Sequence, residues 1–224
     1  MLRVPYKMLL APVPAFRLTQ ANAALLLIDS LRFTTSRDGG LGQAAEARGI
    51  RREFDDYFLQ AEAAIRNMAR LLAACRAHGL RVVYSVLNSQ RADRSDLSRQ
   101  LRASALPVPV GPPEADIREE VAPAAGETVQ PRVTYSPFAS GELGRWLREG
   151  SVDTVVVADV LANLSVVMAA REAADRDFGV VVATDACAAE TLDWHNQTMN
   201  GLPGGLIRVR STREIVQMIE GSRT

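Results

Sequence analysis

Apolar runs without polar alternation recur along the chain, separated by stretches in which apolar residues return every three or four positions. The uninterrupted runs read as strands buried on both faces, the helical-period stretches as helices packed over them. Strands are predicted at 23–29, 81–86, 128–133, 152–159, 178–184 and 206–209. Helices are predicted at 57–78, 140–149, 163–172 and 190–200, with a helical turn near 114–121 and a last helix opening at Ser211. The stops and starts agree: Gly79 sits at the expected C′ position of the first long helix, Gly150 ends another, and Ser211 with Glu214 forms a capping-box pattern. This βαβα rhythm predicts a three-layer α/β/α sandwich, Rossmann-like, with a mostly parallel sheet of about six strands.

Two segments break the rhythm. Residues 33–57 are polar and glycine-bearing, and 87–113 turn from polar to proline-rich. Both are expected as surface excursions that shape the mouth of a site. No repeat, low-complexity tract or internal boundary interrupts 1–224, so one domain is expected, with 1–20 as an N-terminal arm. That arm is proline-broken and reads as neither signal peptide nor membrane span.

Charge narrows the partners. Lys+Arg and Asp+Glu balance at 26 each, which supplies no basic field for nucleic acid or an anionic membrane. The expected partners are a small-molecule substrate and further copies of the chain. Two cysteines, Cys75 and Cys187, give neither a disulfide framework nor a zinc spacing and fit a reducing cytoplasm. Cys75 belongs to the apolar stripe of its helix. No metal or other cofactor is expected; His78 and His195 are far apart and read as helix-end and packing residues.

Open α/β sheets bind ligands outside the carboxyl ends of their strands, where the winding reverses. Asp29 ends the first strand, and Ser165 follows the fourth at a helix start, where unpaired N–H groups gather. The two are expected to share one crevice.

Four ordered stretches then carry a resemblance. Ala24-Leu25-Leu26-Leu27-Ile28-Asp29 resembles the "ALLVID" opening of the isochorismatase-like hydrolases, the cysteine-hydrolase superfamily of nicotinamidases, carbamoylsarcosine amidases and isochorismatases. Residues 132–143, Arg-Val-Thr-Tyr-Ser-Pro-Phe-Ala-Ser-Gly-Glu-Leu, are similar to the family's Lys-x-x-x-Ser-Ala-Phe-x-x-Thr-x-Leu. Residues 160–166, Val-Leu-Ala-Asn-Leu-Ser-Val, are similar to Val-x-Thr-Asn-x-Cys-Val, and Asp185-Ala186-Cys187-Ala188-Ala189 followed by His195 is similar to the usual tail. The resemblance implies an Asp-Lys-Cys triad that here reads Asp29, Arg132 and Ser165. It further implies an oxyanion hole at the N–H groups of Leu161 and Ser165 beside a cis Val160–Leu161 bond, and a homo-oligomer, dimer or tetramer. By position, Phe33, Asn88, Tyr135, Phe138 and Asn163 would line the substrate pocket.

Only the aspartate of the triad survives. A thiol ionises near ~8.5 and a hydroxyl near water's ~15.7, a gap of about seven units or on the order of 10 kcal/mol. A helix N-terminus offsets at most ~2 kcal/mol of it. Ser165 therefore needs a general base during attack, and Asp29 is the matched candidate. Arginine cannot relay a proton and points to an anion clamp instead. Three readings follow: a small-molecule hydrolase with Asp29 as acid/base, Arg132 as clamp and Ser165 as nucleophile or polar contact; an isochorismatase-type vinyl-ether hydrolase that needs no thiol; and a non-catalytic binding or scaffold relative.

Overall fold

A computed structural model of the chain describes residues 15–104, 106–113 and 115–222. Most of the expected N-terminal arm, residues 1–14, lies outside the described residues, as does Glu114 of the expected helical turn.

Six parallel strands form one sheet in the order β3-β2-β1-β4-β5-β6. They are β1 (Ala23–Ile28), β2 (Arg81–Leu87), β3 (Thr128–Arg132), β4 (Thr154–Asp159), β5 (Gly179–Cys187) and β6 (Ile207–Arg210). Every residue of β1 and β4 is buried, as expected of central strands covered on both faces. Alternate residues feed two cores: Leu25 and Leu27 pack with α3 (Asp55–Ala77) and α8 (Thr212–Gly221), whereas Leu26 and Ile28 pack towards α5 (Leu143–Glu149) and α6 (Val167–Asp175). The predicted sandwich and strand number hold. The winding reverses between β1 and β4, so their carboxyl ends flank the switch point.

Helix ends follow from local chemistry. At the end of α3, Leu80 N–H bonds to Cys75 O at 2.9 Å and Gly79 N–H to Arg76 O at 3.1 Å, a Schellman motif that requires the left-handed φ of 68° Gly79 adopts. The capping box of α8 is complete, with Ser211 and Glu214 each accepting the other's backbone N–H.

Both excursions are more ordered than their composition suggests. The segment after Asp29 folds into α1 (Arg32–Thr35), α2 (Gly40–Ala47) and a 3-10 turn, Arg51–Phe54. Thr35 Oγ1 bonds back to Leu31 O at 2.7 Å, and a Cβ on Gly40 would stand 2.3 Å from the Phe33 ring, so the turn seals Phe33 into the core. The stretch 87–113 carries a short helix, α4 (Arg99–Ala103), and buries Leu87, Leu97, Leu101 and Val108 with Tyr135 in a third small core. The turn expected near 114–121 is instead an antiparallel bridge from Leu31 to Ile117 followed by a 3-10 turn, Glu119–Val121. Among the described residues no helix is long and apolar enough to cross a membrane.

Candidate active site

The last residues of β1 lie between Ser85 of β2 and Asp159 of β4. Asp29 follows with a left-handed φ of 46°, which aspartate tolerates better than most residues. Its N–H donates to Ser85 O at 3.2 Å, and its Oδ1 accepts the Leu87 N–H at 2.8 Å. The side chain thus continues the β1–β2 ladder by one rung after the main chain has turned away.

Arg132, the last residue of β3, reaches across β2 to meet it. Nη1 donates to Asp29 Oδ1 at 2.8 Å and to Ser85 O at 2.9 Å, Nη2 to Asp29 Oδ2 and to Ser165 Oγ at 3.3 Å, and Nε to Tyr135 O at 3.3 Å. A guanidinium has five N–H donors, and all five are engaged by the chain itself. Both oxygens of Asp29 are engaged in turn. Asp29 and Ser165 are 0% exposed and Arg132 2%, so this is a desolvated, forked ion pair that ties the carboxyl ends of β1, β2 and β3 together.

Ser165 sits in a wide π-type turn, Ala162–Val166, which opens α6. Among the described residues, the hydrogen bond its hydroxyl makes comes from the arginine. Arg132 therefore stands between the expected nucleophile and the expected base and offers the serine a donor where proton removal needs an acceptor.

A second carboxylate shares the crevice. Asp159 ends β4, fully buried, and its Oδ1 accepts N–H groups from Val160 at 2.5 Å and Leu161 at 3.1 Å. Its Oδ2 is buried without a partner. Burial above all, and then the Asp29 charge, hold its carboxyl well above the usual carboxylate range, against the opposing pull of Arg132 and the two N–H groups. The Val160–Leu161 peptide is trans, and the cis bond among the described residues is Pro112–Pro113, correcting the expectation for this turn. Without proline the trans form is strongly favoured, and here it delivers the Leu161 N–H to Asp159. The expected oxyanion donor is thus already occupied.

The pocket-lining expectations distribute differently. Phe33 lies in the main core, Phe138 packs 6.3 Å from Phe178 with the Arg176 guanidinium over its ring, and Tyr135 joins the third core. Asn88 Oδ1 accepts the Gly111 N–H at 3.0 Å and so fastens the proline-rich stretch. Asn163 alone of the five presents a buried, unpartnered oxygen at the crevice turn. His195 Nε2 lies 3.3 Å from Thr184 Oγ1 and His78 Nδ1 2.9 Å from Ala74 O, a packing contact and a helix-end contact. A groove of about 450 Å³ opens between the segment after Asp29 and the proline-rich stretch, lined by Arg32, Phe33, Gly40, Gln43, Gly111 and Pro113 but by none of Asp29, Arg132 or Ser165.

The Isochorismatase domain model matches residues 48–214. The chain belongs to the isochorismatase family. The matched segment begins after β1, so Asp29 lies upstream of it. Among curated relatives, this isochorismatase-family chain is 33% identical over 85 residues to the uncharacterized isochorismatase family protein YecD of Escherichia coli O157:H7, covering 38% of the chain and 45% of the relative. It is 25% identical over 174 residues to enterobactin synthase component B of Escherichia coli K12, covering 73% of the chain and 60% of the relative. It thus spans about half the length of these two curated relatives. A cysteine hydrolase from Pseudomonas syringae pv. phaseolicola 1448A shares the fold, with a TM-score of 0.77 at 20% identity over 95% of this chain and 99% of that one.

Asp159 is absent from the residues flagged by sequence, although the same signal marks it as marks Asp29: an acid closing an all-apolar strand. Tyr57 was also missed. Buried, it donates to Thr34 O at 2.8 Å, and burial followed by the Asp159 and Asp29 charges pushes its hydroxyl well above the ordinary tyrosine range.

Proposed function

We propose that this chain is a non-hydrolysing member of the isochorismatase family, a binding or scaffold protein in which the reaction centre of a small-molecule hydrolase has become a buried structural cluster. The observation that carries the reading is the complete internal use of Arg132: five donors, five internal bonds, with both Asp29 oxygens engaged. An anion clamp needs free donors, and a serine nucleophile needs a base in contact. Neither arrangement has support in this geometry. The expected homo-oligomer, dimer or tetramer, draws support from α7 (Leu192–Gly201), which buries only Met199 and leaves Leu192 61% and Trp194 52% exposed. A monomer in light scattering at micromolar concentration would sink that part. A cytoplasmic location accords with two free, buried cysteines.

The test is turnover of a panel of small amides, ureides and isochorismate by wild type, Asp29→Asn, Ser165→Ala and Ser165→Cys. No turnover by any of the four is expected. Turnover by wild type that both Asp29→Asn and Ser165→Ala abolish would restore the serine-hydrolase reading.

One observation favours a second reading. Burial raises the Asp159 carboxyl well above the usual carboxylate range, and vinyl-ether hydrolysis needs a proton donor and water rather than a nucleophilic side chain. Isochorismate turnover retained by Ser165→Ala and lost in Asp159→Asn would select it.

A further inference from the structure

A groove of about 990 Å³ opens between α1, the first turns of α3 and residues 116–120, and Leu59 of α3 stands 64% exposed along it. Five carboxylates and three guanidiniums line it. The guanidiniums are engaged within the chain: Arg118 donates to both oxygens of Glu62 and of Glu120, Arg37 pairs with Asp55 and lies 5.6 Å over the Phe58 ring, and Arg32 faces Asp38. Asp116 and Glu119 are exposed and form no ion pair among the described residues. An acidic rim beside an exposed leucine suits a cationic, partly apolar segment.

The chain itself carries such a segment. Residues 91–104 hold four arginines and two aspartates. The aspartates are held by their own loop: Asp96 accepts from Ser89 Oγ at 2.6 Å and from the Gln90 N–H at 2.8 Å, and Asp93 accepts the Ser95 N–H at 3.0 Å. Arg91, Arg99 and Arg102 are exposed, and among the described residues none of them forms an ion pair. Leu97 and Leu101 anchor α4 on Tyr135 beside Met168 of α6, whereas the groove is built on α3, so α4 is held away from the groove of its own chain.

We propose that α4 of one copy docks in this groove of a second copy, with Arg99 and Arg102 meeting Asp116 and Glu119 while the aliphatic stems of the arginines cover Leu59. Groove and α4 both lie in the connections that follow β1 and β2 at the carboxyl end of the sheet, so a single two-fold axis makes the contact twice and closes the pair. Charge holds this interface, which is separate from the apolar face of α7 and independent of any turnover in the crevice.

The test is the dissociation constant of the pair, measured on the full chain by sedimentation equilibrium. It is expected to rise at least about tenfold between about 0.05 M and about 0.5 M NaCl. Arg99→Glu with Arg102→Glu makes both patches acidic, and Asp116→Lys with Glu119→Lys makes both basic. Each double variant alone is expected to pair about 100-fold more weakly or worse, and an equimolar mixture of the two to return to within about tenfold of wild type. Arg102 also donates to Ser95 O and Leu97 O. Should its replacement not fold, Arg99→Glu and Glu119→Lys, at exposed positions, carry the same exchange with a loss of about tenfold each. Pairing that ignores salt, a charge-reversed variant that pairs as wild type does, or a mixture that pairs no better than its components would overturn the proposal and leave a homo-oligomer resting on α7 alone. A monomeric wild type would overturn both.

Discussion

Replacing Asp159 by asparagine removes a proton-binding site and little else. The groups that face it are Asp29 from the end of β1, Arg132 from β3, Tyr57 from α3 and Cys187, its partner on β5. Burial holds the Tyr57 hydroxyl and the Cys187 thiol well above their ordinary ranges, so neither ionises near neutral pH. The titration that Asp159→Asn removes is that of Asp159 itself. Its folded value is raised, so the native state binds one proton more than the unfolded chain from about pH 4, the ordinary aspartate range, up to the raised value. Across that window stability falls as pH rises, by about 1.4 kcal/mol per pH unit. Asparagine does not titrate and escapes the loss. Two pH units inside the window amount to about 3 kcal/mol, or roughly 6–12 °C at the ~2–4 °C per kcal/mol typical of a chain this size. The assay is thermal unfolding of wild type and Asp159→Asn in parallel from pH 5 to 8, with the difference plotted so that the other carboxylates cancel. The advantage of Asp159→Asn is expected to grow with pH and then level off. A flat difference across the range would mean that Asp159 is already ionised in the folded protein, and the neutral-acid reasoning would be wrong.

The remaining predictions test neighbouring links. Arg132→Met strands the Asp29 charge, unpairs the Tyr135 carbonyl and takes one of two donors from the Ser85 carbonyl, at an expected loss of about 3–5 kcal/mol in urea unfolding, partly recovered by adding Asp29→Asn; a loss below ~1 kcal/mol would refute the structural role of the pair. Burial pushes the Cys75 thiol up to about 12 and the Cys187 thiol well above its ordinary value, so a thiol reagent at pH 8 is expected to label neither until denaturant is added. Rapid native labelling of Cys187 would place solvent in the crevice. Ser211→Ala opens the capping box of α8, with an expected loss of about 1 kcal/mol and a melting temperature roughly 2–4 °C lower; an unchanged value would show that packing of Ile215 and Ile219 alone holds the helix.

The layers of the fold were legible because their signal is local. An all-apolar run such as 155–158 fits a strand covered on both faces, and Gly79 or Ser211 marks a helix end through bonds made within six residues. The strand expected at 23–29 differs from β1 by its last residue, and that at 81–86 from β2 by one. The excursions were misjudged because their order comes from afar: Leu97, Leu101 and Val108 find a core only when Tyr135 folds back onto them. The β4–β5 register shift that sets Cys187 opposite Asp159 leaves no mark in sequence either.

The site was half legible, and the reason lies in how two similar acids were treated by one cation. Asp29 and Asp159 each close an apolar strand on adjacent positions of the sheet, and sequence gives them equal standing. What separates them is direction. Asp29 turns at a positive φ towards β2, into reach of a guanidinium 103 residues away, while Asp159 bonds the two amides that follow it. Arg132 is committed to the first carboxylate, so the second remains buried beside a like charge with no counter-ion of its own. Asp159 therefore holds its proton to higher pH than an ordinary aspartate, because keeping both charges in a desolvated crevice costs more than keeping one. At position 132 a fork of five fixed donors does what a point charge on a flexible stem would not: its geometry decides which of two aspartates has the counter-ion.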